Sequence, residues 1–541
     1  MPELSESLPA AAGTAETDRF RGGIARRLGL RFEDSRWGFL AEVMQRRLDR
    51  TGIPAPVYLQ RLESRTGFAD ELRELARELT IGETYFYRNI DQFRALAQAV
   101  LPERIAEREP VRALSFLSAG CASGEEAYSL AMVARENILD PGWMISILAV
   151  DVNPAALEKA TAGSYSPWSL RETPPEVQAR WFRGQGRDLT VDRTIRDAVR
   201  FEERNLVEDD PVLWRPGSYD VVFCRNVLMY HTPEVAQAVV ARISRALAPG
   251  GYLFLGHAEN LRGLSQEFHL RHTHGTFYYQ RRDPRDRVPP TVPAGLALDD
   301  VWNGAAGPGP MEGGLAGQPP VSDPGEPGTW IEAIRRATDR IQLLARAGAD
   351  GAPAPPQELA PDRSPSGRRP PAPSRPDLAP VIESLQRERF SEALGLWHAL
   401  PSESVSDPEA LLLRAALLTH SGQLPAAEQV CGELLALDEL NAGAHYLLAL
   451  CREGAGDRAA AIDHDQVAVY LDPAFAMPRL HMGLLARRAG QREVARRELG
   501  LALPLLQRED ASRLLLFGGG FNRDTLSALC RAELSAAGVE S

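Results

Sequence analysis

Two carboxylates at the head of a helix carry the most specific chemistry in this sequence. In Ser118 to Ser129, S-A-G-C-A-S-G-E-E-A-Y-S, a loop of small residues separates an apolar run from an amphipathic stretch. The run Val111 to Leu117 reads as a buried parallel strand, Gly120 and Gly124 let backbone approach a ligand, and Tyr128, Leu130 and Ala131 begin a helix. A bare helix N-terminus suits phosphate, but Glu125 and Glu126 would repel an anion and attract a cation. S-adenosylmethionine, with its sulfonium and amino group, meets that demand.

Further candidates follow the other apolar runs, where ligands bind in an open α/β sheet. Asp151, in A-V-D-V-N, can accept hydrogen bonds from both hydroxyls of a ribose, or can cap the helix that starts at Pro154. Asn205 and Leu206, in F-E-E-R-N-L, pair a polar edge with an apolar surface suited to adenine. Arg225, Asn226 and Tyr230, in F-C-R-N-V-L-M-Y, suit a ligand carboxylate, the plainer alternative being an Arg paired with a surface acid. Upstream, T-I-G-E-T-Y-F-Y-R (Thr80 to Arg88) places Thr84 and Arg88 four apart on one helix face, with Tyr85, Phe86 and Phe93 as an apolar side; Thr80 or Thr84 could equally be an N-cap.

The elements that must hold these residues are legible in the hydrophobic pattern. A polar stretch, 1–17, reads as a disordered tail, and 18–79 as a small all-α domain in which Trp37, Leu40, Ala41, Met44 and Leu48 share one stripe. Residues 80–282 alternate apolar runs with amphipathic helices, the pattern of a doubly wound, Rossmann-like α/β domain. Its strands are expected at Val111 to Leu117, Ile145 to Val150, Tyr219 to Cys224, Tyr252 to Leu255 and His269 to Tyr279. Residues 163–200 are too long and irregular for one crossover helix and read as an inserted β-subdomain.

Residues 283–377 are dense in Pro, Gly and Ser and read as a flexible linker, with a short helix possible at Trp330 to Leu344. Beyond it Gly422, Gly456 and Gly490 recur every 34 residues, as do Ala427, Ala461 and Ala495. That period, with Gly between two helices and Ala at their crossing, is the tetratricopeptide pattern; it is expected over 378–507, with capping helices over 508–541.

Bulk properties narrow the function class. A net charge of -12 argues against general nucleic-acid binding, and no run approaches the length of a membrane span, so neither nucleic acid nor membrane insertion is expected. The five cysteines lack C-x-x-C spacing and fit reduced thiols in a cytoplasmic protein; no metal site is expected. Asp18 to Thr66 nonetheless holds eleven arginines against six acids, and Arg46, Arg47 and Arg50 share a helix. That face is either simply solvated or docks an acidic protein partner.

Over Phe20 to Arg282 the chain resembles the CheR family of chemoreceptor glutamate methyltransferases. The resemblance rests on the helical N-terminal part, T-I-G-E-T-Y-F-Y-R, G-C-A-S-G-E-E-A-Y-S, F-C-R-N-V-L-M-Y and L-F-L-G-H-A-E-N (Leu253 to Asn260), in family order. Tyr87 and Ala127 stand where Phe and Pro are usual, and the Gly184 to Thr190 loop looks shorter than in relatives that dock a receptor's C-terminal peptide. The resemblance implies S-adenosylmethionine contacts from Gly82, Thr84, Arg88, Glu126, Asp151, Asn205, Leu206, Arg225 and Asn226, with Arg88 and Tyr230 nearest the reacting methyl. Of the two carboxylates in the opening loop, Glu126 is then expected to face the cofactor. It further implies methyl transfer to glutamates of a receptor coiled coil docked by Arg46 and Arg47, and a protein partner for the repeats. A methyltransferase for another substrate and an inactive cofactor-binding scaffold are the alternatives.

Overall fold

The computed structural model describes residues 9–283 and 378–538, except 65–66, 81, 185–187, 387–388, 400–406 and 520. They belong to two compact units, 1–289 and 290–541. Most of the expected linker, the helix considered at 330–344 and the tip of the 184–190 loop lie outside the described residues. Among the described residues no helix is long and apolar enough to cross a membrane.

The first unit opens with α1 (Pro9–Leu28), α2 (Trp37–Thr51), α3 (Ala55–Glu63) and α4 (Ala69–Leu79). Helix α1 begins inside the stretch expected to be a disordered tail; the alanines at its start favour helix, and Thr17 and Phe20 further along are buried. Phe20, Ile24, Leu40, Val43, Tyr58, Leu62 and Leu75 form the core of this helical part. Residues 82–89 are not helical, contrary to the expected Thr84 and Arg88 face. Tyr87 and Asn89 both take left-handed backbone, with φ of 56° and 60°, which breaks any helix before Ile90.

The sheet behind them has seven strands. In chain order β1 (Ala113–Ala119), β2 (Met144–Asp151), β6 (Val199–Glu203), β7 (Tyr219–Cys224) and β8 (Leu247–Leu255) are parallel, and the hairpin β9 (Phe268–Thr273) and β10 (Thr276–Arg281) closes one edge. The order β6-β2-β1-β7-β8-β10-β9 reverses direction between β1 and β7, so the crevice at their carboxyl ends is the switch point. Strand β6 was not among the expected strands. Its charged, half-exposed sequence V-R-F-E-E is that of an edge, without the apolar run of a central strand. The insertion holds β3 (Ser164–Tyr165), β4 (Phe182–Arg183) and β5 (Leu189–Val191) as a separate small sheet, in line with its length and irregularity.

In the second unit, helix pairs Pro408–His420 and Leu424–Leu437, Ala442–Gly454 and Arg458–Leu471, and Ala476–Arg488 and Arg492–Arg508 repeat in order. Gly422, Gly456 and Gly490 turn each pair with φ of 79°, 84° and 73°, and Ala427, Ala461 and Ala495 are fully buried at the crossings. Helices Ala379–Gln386 and Phe390–His398 precede the repeats, and Ala511–Phe517 and Arg523–Gly538 follow them. This is a tetratricopeptide solenoid.

Candidate active site

The small-residue loop leaves β1 at the switch point and delivers helix Glu125–Asn137. Its two carboxylates part company there. Glu125 is 1% exposed and turns toward the insertion, accepting from Ser169 Oγ there at 3.4 Å and from Ser123 Oγ of its own loop at 2.8 Å. Glu126 accepts from Ser118 Oγ at 2.7 Å and meets Arg225 Nη1 at 3.4 Å. Burial raises the Glu126 pKa against the opposing pull of Arg225 and Ser118, and burial lowers that of Arg225. The Arg225 guanidinium also donates to the Arg88 carbonyl oxygen. Gly124 was expected to admit a ligand, but a Cβ there would meet Ala160, Phe201 and the Tyr165 hydroxyl at 2.8 to 3.1 Å, so it serves close packing against helix Pro154–Ala162, β6 and the start of the insertion.

Asp151 ends β2. Its Oδ2 accepts from the Ala122 amide at 2.9 Å and its Oδ1 from the Asn153 amide at 2.8 Å, which ties the small-residue loop to the second strand. The N-cap of helix Pro154–Ala162 is Asn153, whose Oδ1 accepts from Ala155 and Ala156, so Asp151 is left on the crevice wall. Burial raises its pKa, with the backbone N–H groups opposing.

A cavity of about 380 Å³, within the ordinary range for a small-molecule site, opens at these strand ends. Asp151, Asn205, Leu206, Asn226 and Tyr230 line it; Gly82, Thr84, Arg88, Glu126 and Arg225 do not. Glu126, Arg225 and the Arg88 carbonyl form a connected group, with Arg225 next in the chain to Asn226, whereas Gly82 is exposed on the 82–89 segment, with open space around it. Asn205 spends its side chain on structure, donating to the Arg27 carbonyl at 2.8 Å and accepting from the Val207 amide at 3.1 Å.

One wall was not anticipated. Leu28, the last residue of α1, and Leu30, Arg31 and Phe32 just after it line the same cavity, and the Arg31 amide donates to the Tyr230 carbonyl at 2.7 Å beside a Leu30–His231 bridge. The helical part therefore closes the site as well as preceding it, a role that spacing along the chain does not encode. Glu259 was also missed, although it lies in a motif noted above; it holds the loop that carries Asn226.

The proposed docking pair divides on burial. Arg46 is half exposed and pairs with Glu78 at 3.0 Å. Arg47 is 4% exposed, in a bidentate pair with Glu71 at 2.7 and 2.8 Å, and Tyr58 donates to the same carboxylate. Arg47 is thus a core ion pair and is not available to dock a partner. It falls on the inward face of α2 with Leu40, Val43 and Met44.

The donor set fits S-adenosylmethionine: partly buried carboxylates at Glu126 and Asp151 suit a cation and a diol, and Leu206 and Val227 give an apolar wall for a purine. Residues 82–277 match the CheR methyltransferase, SAM binding domain. Chemotaxis protein methyltransferase 1 of Pseudomonas aeruginosa is 34% identical over 48% of this chain and 95% of its own length. WspC of the same organism, a probable biofilm formation methyltransferase, is 27% identical over 89% of this chain and 96% of its own. An uncharacterized 104.1 kDa protein of Rhodobacter capsulatus is 34% identical over 46% of this chain, which spans only 26% of that longer protein. With the sheet, the crevice chemistry and these matches in agreement, the chain belongs to the CheR family and is an S-adenosylmethionine-dependent methyltransferase.

Proposed function

We propose that the chain methylates glutamate side chains of chemoreceptors, giving γ-glutamyl methyl esters. The observation that carries this is the Glu126–Arg225 pair, linked to the Arg88 carbonyl, with Arg225 next in the chain to Asn226, which lines a cavity together with Asp151 and Tyr230. The names of the relatives as chemotaxis methyltransferases support the acceptor. S-adenosylmethionine supplies a methyl on a sulfonium sulfur; an acceptor carboxylate oxygen takes the methyl carbon while the C–S pair stays on sulfur, leaving S-adenosylhomocysteine.

An ionised carboxylate needs no strong general base, so the chain's task is alignment and partial exclusion of water. Arg88 orients the acceptor carboxylate, and Tyr230 shares the positioning through its hydroxyl. Neither neutralises the nucleophile completely, which would blunt it. Gly82, Thr84, Asp151, Asn205, Leu206, Arg225 and Asn226 complete the cofactor contacts in this reading, Asn205 through its backbone because its amide is committed elsewhere.

Residues 18–79 serve receptor recognition through the exposed Arg46 beside an acidic receptor coiled coil, and the repeats over 378–507 hold a further protein partner. The setting is cytoplasmic. The test is transfer of labelled methyl to purified receptor cytoplasmic fragments, with the ester located by mass spectrometry. Labelled glutamyl esters that vanish in Arg88→Ala support the reading; cofactor binding without any receptor ester overturns it.

A further inference from the structure

The loop that carries Arg225, Asn226 and Tyr230 is an irregular turn, and its backbone amides need acceptors. Glu259, 5% exposed, supplies them. Its Oε2 accepts from the Asn226 amide at 2.6 Å and the Gly256 amide at 2.8 Å, and its Oε1 from the Val227 amide at 2.9 Å and the Met229 amide at 3.1 Å. These amides belong to the turns that leave β7 and β8, which pair Cys224 with Leu255 immediately beforehand. One carboxylate therefore clasps the carboxyl ends of two adjacent strands beside the switch point.

Two details set this apart from ordinary capping. Asn226 holds left-handed backbone, φ 56°, so that neighbouring N–H groups converge into an anion-binding nest of the kind that elsewhere holds phosphate. Here the nest is filled by the chain's own carboxylate. A Cβ on Gly256 would stand 2.6 Å from Glu259 Oε2, 2.8 Å from Asn226 Nδ2 and 2.9 Å from the Asn226 amide nitrogen, so the clasp closes only over glycine. Gln92, on the helical segment after Arg88, donates to the Leu255 carbonyl at 2.8 Å and anchors that segment to the same place.

We infer that Glu259 is a positioning residue for methyl transfer: with Gly256 it folds the 225–230 loop, presenting Asn226 to the cofactor and Tyr230 to the acceptor. The inference rests on the proposed roles of Asn226 and Tyr230. Glu259→Gln keeps the shape but offers one acceptor oxygen and an NH2 donor to four N–H groups; Glu259→Asp keeps the charge one methylene short. Gly256→Ala leaves the carboxylate in the chain but forces it out of the nest.

The experiment measures, on the full chain, the Kd for S-adenosylhomocysteine by calorimetry, the Tm, and kcat for receptor methylation. Glu259→Gln is expected to weaken binding by roughly tenfold or more, as loss of a buried charged acceptor implies, with Glu259→Asp milder. Gly256→Ala should match Glu259→Gln, and the double variant should be no worse than either, because both act through one nest. A lowered Tm with wild-type Kd and kcat in Glu259→Gln, or additive losses in the double variant, would overturn the inference. If Glu259→Gln loses affinity while Asn226→Ala does not, the loop is positioned as stated and Asn226 drops out of the cofactor contacts, so the two failures are separable.

Discussion

Glu126 and Arg225 meet across the switch point of the sheet, Oε2 to Nη1 at 3.4 Å, with Ser118 holding the other carboxylate oxygen at 2.7 Å. The pair joins the helix after β1 to the turn after β7. It is incompletely compensated, because burial raises the pKa of the acid and lowers that of the base despite their contact. A bound cation would therefore lower the Glu126 pKa, and binding should be linked to loss of a proton. Affinity for S-adenosylmethionine is expected to be flat at high pH and to weaken as pH falls through the raised Glu126 pKa. Calorimetry in buffers of different ionisation enthalpy reads the proton release directly. In Glu126→Gln it should disappear, together with roughly tenfold or more of affinity.

The same carboxylate bears on stability with the opposite sign. A raised carboxylate pKa penalises the folded state once the group is ionised: the stability is fully present below the unfolded pKa and is lost as pH rises through the folded one. Glu126→Gln should thus raise the Tm of the cofactor-free chain at pH 8 relative to pH 4, while cofactor raises the wild-type Tm more than the variant's. Thermal unfolding at both pH values, with and without S-adenosylhomocysteine, checks both signs.

Arg46 and Arg47 are neighbours in sequence with opposite roles. Arg47→Ala leaves Glu71 buried without its bidentate partner and should cost about 3 to 5 kcal/mol, enough to loosen the helical part. Arg46→Ala removes an exposed pair with Glu78 and should cost no more than about 1 kcal/mol. Receptor affinity should respond the other way: Arg46→Glu weakens it, most at low salt, in a folded protein. Chemical denaturation and receptor binding on these three variants separate the roles; salt-independent binding unaffected by Arg46→Glu would remove the docking proposal.

The Tyr87 hydroxyl is buried with no partner among the described residues. The ring packs on Phe93 at 5.2 Å, and its backbone amide donates to Ser129 Oγ at 3.1 Å, neither of which needs the oxygen. Tyr87→Phe is expected to be neutral or stabilising by about 1 kcal/mol, with methyl transfer unchanged. A clear loss of stability or rate would mean that the hydroxyl has a partner in solution.

The sequence was most readable where one physical requirement fixes the residue type. The buried parallel strands β1, β2 and β7 need mostly apolar runs, and the 34-residue Gly and Ala period needs left-handed turns and close crossings; both were plain. Arg47 was not, because a helix with Arg at two adjacent positions turns one of them inward, and only the partner Glu71, far along the chain, decides which. The left-handed Tyr87 and Asn89 escaped for a similar reason, since non-glycine residues give little sign of positive φ. Glu259 sat in a recognised motif without a function because its partners are backbone amides, which carry no identity in a sequence.

Inside the repeats, His481 joins Asp465 at 2.7 Å and Glu453 at 3.1 Å, with Arg488 on the other oxygen of Glu453. His481 and Asp465 are fully buried and link the second repeat to the third. Burial alone would lower the His481 pKa, but the two carboxylates outweigh it and raise it to about 9. Burial likewise raises the pKa of Asp465, to about 6, so the stability from the ion pair is greatest near the unfolded histidine pKa, about 6.5, fades as Asp465 takes up a proton below about 6, and is lost as pH rises through about 9. Hydrogen exchange of peptides from helices Ala442–Gly454 and Ala476–Arg488 should accelerate over that window beyond the intrinsic pH effect, while peptides from β1 and β7 serve as the internal reference. His481→Gln should exchange faster at pH 7, where Asp465 is ionised, and lose the extra pH dependence up to pH 9, because a neutral amide cannot be deprotonated and leaves Asp465 facing no cation. If the variant keeps the wild-type slope between pH 6.5 and 9, the titrating group is not His481.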